Sequence, residues 1–159
     1  MDDKRTILEK LFPKAVLKAL TPEAHAAIPV GMQVGGMVTI HAFPFRVGRE
    51  SRVAMVNNRI HRIERPGTID GKHSNDMYLM DTGHLLQISR EHFRIDHTVD
   101  GYMLTDRGSK CGLSVNGKRL GHGAGIMTMP LHDGSVIGVG TAETRYHFTF
   151  IAGFDNSRW

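Results

Sequence analysis

From Gly36 onward the hydrophobic pattern of this chain takes a period of two, and that narrows its folding options more than any other feature. Val38, Ile40 and Ala42 alternate with Thr39 and His41, and Tyr146, Phe148 and Phe150 alternate with His147 and Thr149. Such alternation puts one set of side chains on one side of a pleated ribbon, so each run predicts a strand with one buried face. Three turn pairs, Asp100-Gly101, Asn116-Gly117 and Asp133-Gly134, punctuate the stretch between. Asn-Gly and Asp-Gly favour tight hairpins because both central residues tolerate positive φ. Short strands separated by such turns predict an all-β antiparallel sandwich.

The first thirty residues differ. Ile7, Leu8, Leu11 and Phe12 recur at helical spacing; Pro13 interrupts, and Ala15, Val16, Ala19 and Leu20 continue the pattern. Thr21-Pro22-Glu23 is a good start for a second helix, since Thr21 can cap it and Pro22 at the first helical position loses no needed hydrogen bond. Ala24 to Ile28 would follow as a short helix closed by Pro29 and Gly31. Residues 51–74 break the rhythm again: Val53 to Ile63 can form an extra hairpin turning at Asn57-Asn58, and Thr68 to Ser74 reads as loop. The expected organisation is an N-terminal helical extension over 1–30, a sandwich domain over 31–153 with an enlarged insertion at about 51–74, and a tail over 154–159.

At 159 residues and 40% apolar, the chain suits one domain with one core. A formal charge of +4 suits an anionic partner without saying whether that is nucleic acid, phosphopeptide or lipid. A single cysteine, Cys111, cannot form an internal disulfide and favours a reducing compartment. Met1-Asp2-Asp3-Lys4-Arg5 has no apolar signal core behind it, and no run of about 18 apolar residues occurs, so a cytoplasmic location is expected. His84, His92, His132 and His147 lack the spacing of a zinc site, so neither metal nor cofactor is expected. Gly121-His122-Gly123-Ala124-Gly125 lacks the Gly-Lys-Ser/Thr signature of a phosphate loop, and no nucleophile elbow is present, so no catalysis is expected.

Two short motifs point to an anion. After Phe45 and Val47, Gly48-Arg49 predicts a strand ending in a tight turn with Arg49 projecting from it, and a guanidinium fork fits two phosphate oxygens. In Ser89-Arg90-Glu91-His92, Ser89 offers a hydroxyl donor and Arg90 a charge. His92 stands where Phe93 and Ile95 resume a strand, a place to tie the loop to its own backbone. Farther on, Gly108-Ser109, Gly112 and Asn116-Gly117 follow the strand-like Tyr102-Met103-Leu104-Thr105. With Asn75-Asp76-Met77-Tyr78-Leu79 and the run Leu131 to Gly140, this order of motifs resembles a forkhead-associated (FHA) domain, a module that reads phosphothreonine.

The resemblance implies an eleven-stranded sandwich with its ligand loops at one end. It implies that Arg49 and Ser89 contact the phosphate, that Arg90 assists, and that Lys110 and Cys111 supply two further contacts. Family members commonly carry Thr and Asn at those last two positions; Cys111 is a weak donor and poor acceptor, while Lys110 can reach a phosphate as a point charge. Gly48, His92, Ser109, Asn116 and Gly117 would support the site. A phosphothreonine carries about −1.5 to −2 charges, and Arg49, Arg90 and Lys110 are three cations to meet it. The function implied is a phosphothreonine-peptide binding module for protein–protein interaction in Ser/Thr kinase signalling. The alternative is a phosphorylation-independent scaffold or self-assembly protein on the same fold, which Cys111 in place of Asn favours. Nucleic-acid binding is the weakest alternative, with 7% aromatic residues and no stacking motif. Arg52, Arg59, His61, Arg62 and Arg65 in the insertion would either contact acidic residues flanking the phosphothreonine or form a solvated basic loop. The N-terminal helices would pack on the sandwich, mediate self-association or dock on another subunit. A phosphorylated Thr6 captured by a second copy is one route to self-association.

Overall fold

A computed structural model describes residues 3–50, 53–56, 59–62 and 75–154 of the chain. A nine-residue helix, α1 (Asp3–Leu11), is followed by β1 (Ala15–Ala19) and by the short helix α2 (Pro22–Ala27). Then come β2 (Met37–Ile40), β3 (Phe45–Arg49), β4 (Val53–Val56), β5 (Arg59–Arg62) and β6 (Met77–Leu79). The remainder is β7 (Phe93–Thr98), β8 (Gly101–Asp106), β9 (Leu113–Val115), β10 (Lys118–Leu120), β11 (Thr128–Leu131), β12 (Val136–Val139) and β13 (His147–Ile151).

These strands form a β-sandwich. One sheet has six strands in the order β10-β9-β12-β13-β1-β2, and the other has five in the order β11-β8-β7-β3-β6. Pairing is antiparallel except between β3 and β6, which run parallel with Val47 opposite Met77. The alternating runs behave as pleated strands should: Val38 and Ile40, and Phe148 and Phe150, are buried while Thr39 is exposed and His147 and Thr149 are half-buried. They meet Val47, Phe93, Ile95 and Leu104 from the opposite sheet in one core. Each large apolar side chain taken fully out of water contributes about 1.5–3 kcal/mol before the cost of ordering the chain.

Two expectations need correction. The segment Ala15 to Leu20, read as a continuation of the helical pattern, is strand β1 through Ala19. Leu17 pairs with Phe150 on one side and Val38 on the other, so this part of the supposed helical extension is an inner strand of the larger sheet. Ala15 and Leu17 are fully buried, and Val16 on the other face is 6% exposed. A short strand covered on both faces has no alternation to distinguish it from a helix. Asp133-Gly134, expected to close a hairpin, instead joins β11 of one sheet to β12 of the other.

Other readings match what is seen. Thr21 has extended backbone (φ −117°, ψ 155°) and its side chain accepts the Ala24 N–H at 3.2 Å, with Pro22 opening α2. The insertion holds an antiparallel hairpin pairing Val53 with Arg62 and Val56 with Arg59. Its turn at Asn57-Asn58, the loop Thr68 to Ser74 and the tail beyond Phe154 lie outside the described residues. No helix among the described residues is long and apolar enough to cross a membrane.

Candidate functional site

Strand β3 delivers Arg49 to one end of the sandwich because Gly48 lets a second segment cross over it. A Cβ at Gly48 would lie 1.9 Å from the Arg90 carbonyl oxygen and 2.6 Å from Asn75 Nδ2. The Arg49 N–H donates to the Ser89 carbonyl at 2.9 Å, Nε donates to the Ile88 carbonyl at 2.9 Å, and Nη1 donates to the Glu50 carbonyl at 3.3 Å. Arg49 is only 8% exposed, so its guanidinium is held by these carbonyls rather than waving in solvent. The Ile88 segment is fixed in turn by Asp81, whose Oδ2 accepts the N–H groups of Gln87 and Ile88. Asp81 Oδ1 accepts from Gly83 N–H and from the Tyr146 hydroxyl at 2.8 Å. Burial, reinforced by that hydrogen bond, pushes the Tyr146 phenol above its ordinary pKa, so it stays a donor at all physiological pH.

Ser89 is set by a histidine. Its N–H donates to His92 Nδ1 at 3.0 Å, which leaves that nitrogen unprotonated, so the ring proton sits on Nε2 and points at the Gly112 carbonyl, 2.8 Å away. The ring is fully buried, and desolvation pushes its pKa below the usual histidine value, which favours this neutral tautomer. Ser89 Oγ accepts the Lys110 N–H at 2.9 Å, which turns the hydroxyl proton outward. The Lys110 loop rests on Asp106 at the end of β8. Its Oδ1 accepts from the N–H groups of Gly108 and Ser109, its Oδ2 accepts from the Ser109 hydroxyl, and Ser109 Oγ accepts the Gly112 N–H.

Arg90 is steadied through its backbone. Asn75 Nδ2 donates to the Arg90 carbonyl at 2.7 Å while Asn75 Oδ1 accepts from Arg107 Nη1. Arg107 also lies 3.4 Å from Glu91, and burial lowers its pKa from the ordinary arginine value. Cys111 points its Sγ at the Leu86 carbonyl, 3.5 Å away.

The structure brings Arg49, Ser89, Arg90, Lys110 and Cys111 to the wall of one open cleft of about 610 Å³. No carboxylate lines that cleft among the described residues, so its charged lining is cationic and suits an anion. Gly48, His92 and Ser109 stand directly behind it. Asn116 and Gly117 do not: they turn the far end of the β9–β10 hairpin, where Asn116 Oδ1 accepts the Val136 N–H. Gln87 and Thr141 also line the cleft, and the Thr141 N–H donates to Gln87 Oε1 at 2.8 Å. Sequence reading missed that pair; its one trace is Gly140, where a Cβ would strike Gln87 Oε1 at 2.4 Å. Among the described residues no group of three His, Cys, Asp or Glu side chains could hold a metal ion.

Comparison with known proteins adds to this geometry. The FHA domain family matches the sequence over residues 45–140. The FHA domain of the CT664 protein of Chlamydia trachomatis superposes with a TM-score of 0.51 at 19% identity, covering 87% of this chain and 97% of that one. EmbR of Mycobacterium tuberculosis, solved in complex with a low-affinity phosphopeptide, gives 0.51 at 21% identity, covering 97% of this chain and 29% of that one. The FHA domain of a hypothetical protein of Arabidopsis thaliana gives 0.50 at 20% identity, with 91% of each chain covered. At these identities the likenesses bear on fold alone. No curated protein matches the sequence.

Proposed function

Because this chain belongs to the FHA domain family, we propose that it is a phosphothreonine-peptide binding module that joins proteins in Ser/Thr kinase signalling and catalyses nothing. The observation that carries this reading is the convergence of Arg49, Ser89, Arg90 and Lys110, from three separate segments, on a cleft lined by no carboxylate among the described residues. Arg49 and Lys110 would take phosphate oxygens as cations and Ser89 as a neutral donor, its acceptor side already engaged by the Lys110 N–H. A phosphopeptide bound to EmbR lends the reading support by analogy. Cys111 would contact the peptide only weakly, so affinity would rest on the phosphate more than on the peptide backbone.

The test is a binding screen of phosphothreonine peptides with matched unmodified controls. It uses the full chain, since β1 near the N-terminus is an inner strand. The modified forms alone should bind. Arg49→Ala should then lose about 2–5 kcal/mol of binding, the range for truncating one member of a desolvated charged pair. Equal affinity for modified and unmodified peptides would favour the phosphorylation-independent scaffold instead. Equal affinity of wild type and Arg49→Ala would remove Arg49 from the site.

A further inference from the structure

We propose that Arg119, on β10 outside the cleft lining, is a positioning residue that assembles the anion cleft before any ligand arrives. This rests on the anion-binding reading of the cleft. Arg119 Nη1 donates to the Gly140 carbonyl and Nη2 to the Cys111 carbonyl, each at 2.7 Å. These carbonyls belong to the β12–β13 and β8–β9 connections, which contribute Thr141 and Lys110-Cys111 to the cleft wall. One planar guanidinium therefore spans two loops just where they leave the β9–β12 pairing, beyond their last backbone bond, from the Gly140 N–H to the Gly112 carbonyl at 3.0 Å. A lysine, with a single nitrogen, cannot hold both in the same plane.

The chemistry explains why such a clamp matters for an anion. A carbonyl oxygen facing a phosphate repels it, and an amide N–H attracts it. At this end of the sandwich the carbonyls are drawn inward. Arg119 takes Cys111 and Gly140, and His92 Nε2 with the Gly140 N–H takes Gly112. Turning the Cys111 carbonyl to Arg119 aims the Gly112 N–H of the same peptide at Ser109 Oγ, 2.9 Å away, and in the loop so fixed the Lys110 N–H reaches Ser89 Oγ at 2.9 Å. Arg119 makes no ion pair among the described residues. The sequence makes room for it: a Cβ at Gly112 would stand 2.8 Å from Arg119 Nη2. Gln87 closes the third side by accepting the Thr141 N–H.

Binding of O-phospho-L-threonine, with L-threonine as control, followed by amide NMR on the full chain would test this. Arg119→Ala and the milder Arg119→Lys would be compared with wild type at a temperature where core amides such as those of Ile95 and Phe148 keep their wild-type shifts. Arg119→Ala should bind roughly ten-fold more weakly, and Arg119→Lys should recover part of that loss. Without ligand, the Lys110 amide should exchange with solvent at least ten-fold faster in Arg119→Ala while core amides keep their protection. Wild-type Lys110 exchange in both variants would overturn the proposal, as would unchanged binding in a folded Arg119→Ala. The exchange readout needs no ligand, so failure of wild type to bind phosphothreonine would count against the proposed function alone.

Discussion

Glycine serves different purposes at the two ends of this sandwich. At the end away from the cleft, Gly101, Gly117 and Gly134 have φ of +117°, +85° and +86°, and a Cβ at any of them would meet nothing within 4 Å. They are glycines because the backbone bends through a region that side chains avoid. At the cleft end proximity is added to torsion, for Gly121 and Gly140 also have positive φ (+75° and +124°) while Gly48 does not. A Cβ would lie 1.9 Å from the Arg90 carbonyl at Gly48, 2.3 Å from Asp106 at Gly121 and 2.4 Å from Gln87 at Gly140. One end is shaped by local torsion, and the other by torsion together with loops pressed against one another from distant parts of the chain.

The largest expected effect separates these cases. Gly48→Ala forces a methyl group onto backbone of the Ser89–His92 loop, so the loop must move or β3 must part from it. The cost should be about 3 kcal/mol, at the upper end of overpacking. Gly117→Ala meets only the unfavourable φ and should cost roughly 1 kcal/mol. Urea unfolding of both variants measures the difference. A Gly48→Ala protein no less stable than Gly117→Ala would erase the distinction.

A smaller effect sharpens the comparison through pH. Among the described residues the one buried histidine, His92, lies at the cleft end, and its folded-state pKa is depressed by desolvation. The unfolded chain takes up that proton near pH 6.5, whereas the folded protein resists it. Folding stability from this group is therefore fully present above about pH 6.5, and is lost as pH falls from there toward the lower folded-state value. Protonation would also put a hydrogen on Nδ1, against the Ser89 N–H. Chemical denaturation at a series of pH values between 7.5 and 5 should show stability falling, with a shallower fall in His92→Gln. Parallel profiles for the two proteins would show that His92 does not titrate in this way.

The same contrast explains what could be read from the sequence. The torsional glycines of the far end follow Asn or Asp, so Asp100-Gly101 and Asn116-Gly117 announce their hairpins locally. Strands with one wet face, such as β13, announce themselves by alternation. β1 does not, because Ala15, Val16 and Leu17 are buried on both faces and three apolar residues in a row fit a helix equally well. Asp133-Gly134 announces a turn but not that its strands enter different sheets, since that is decided by partners far along the chain. At the site, Arg49, Ser89 and Arg90 were legible through motifs whose spacing a family shares. Gln87, Thr141 and Arg119 were not: each acts on a carbonyl or amide more than 7 residues distant, and nothing in the local sequence marks the contact.

The smallest effect on binding is expected at Asn116, which the motif pattern associated with the cleft and the structure places at the far end of its hairpin. Asn116 has φ of +50° and its Oδ1 accepts the Val136 N–H at 2.8 Å. Asn116→Ala loses both the tolerance of that φ and the hydrogen bond, whereas Asn116→Gly loses only the bond. The Ala variant should therefore be less stable than the Gly variant by about 1 kcal/mol, which isolates the torsional part. Both should bind O-phospho-L-threonine within a factor of about two of wild type, because neither touches a residue of the cleft wall. A loss of affinity in Asn116→Gly beyond that range, in a protein whose Lys110 and Ser89 amides keep their wild-type shifts, would mean that the two ends communicate through β9. Three residues of strand, Leu113 to Val115, are the shortest route by which they could.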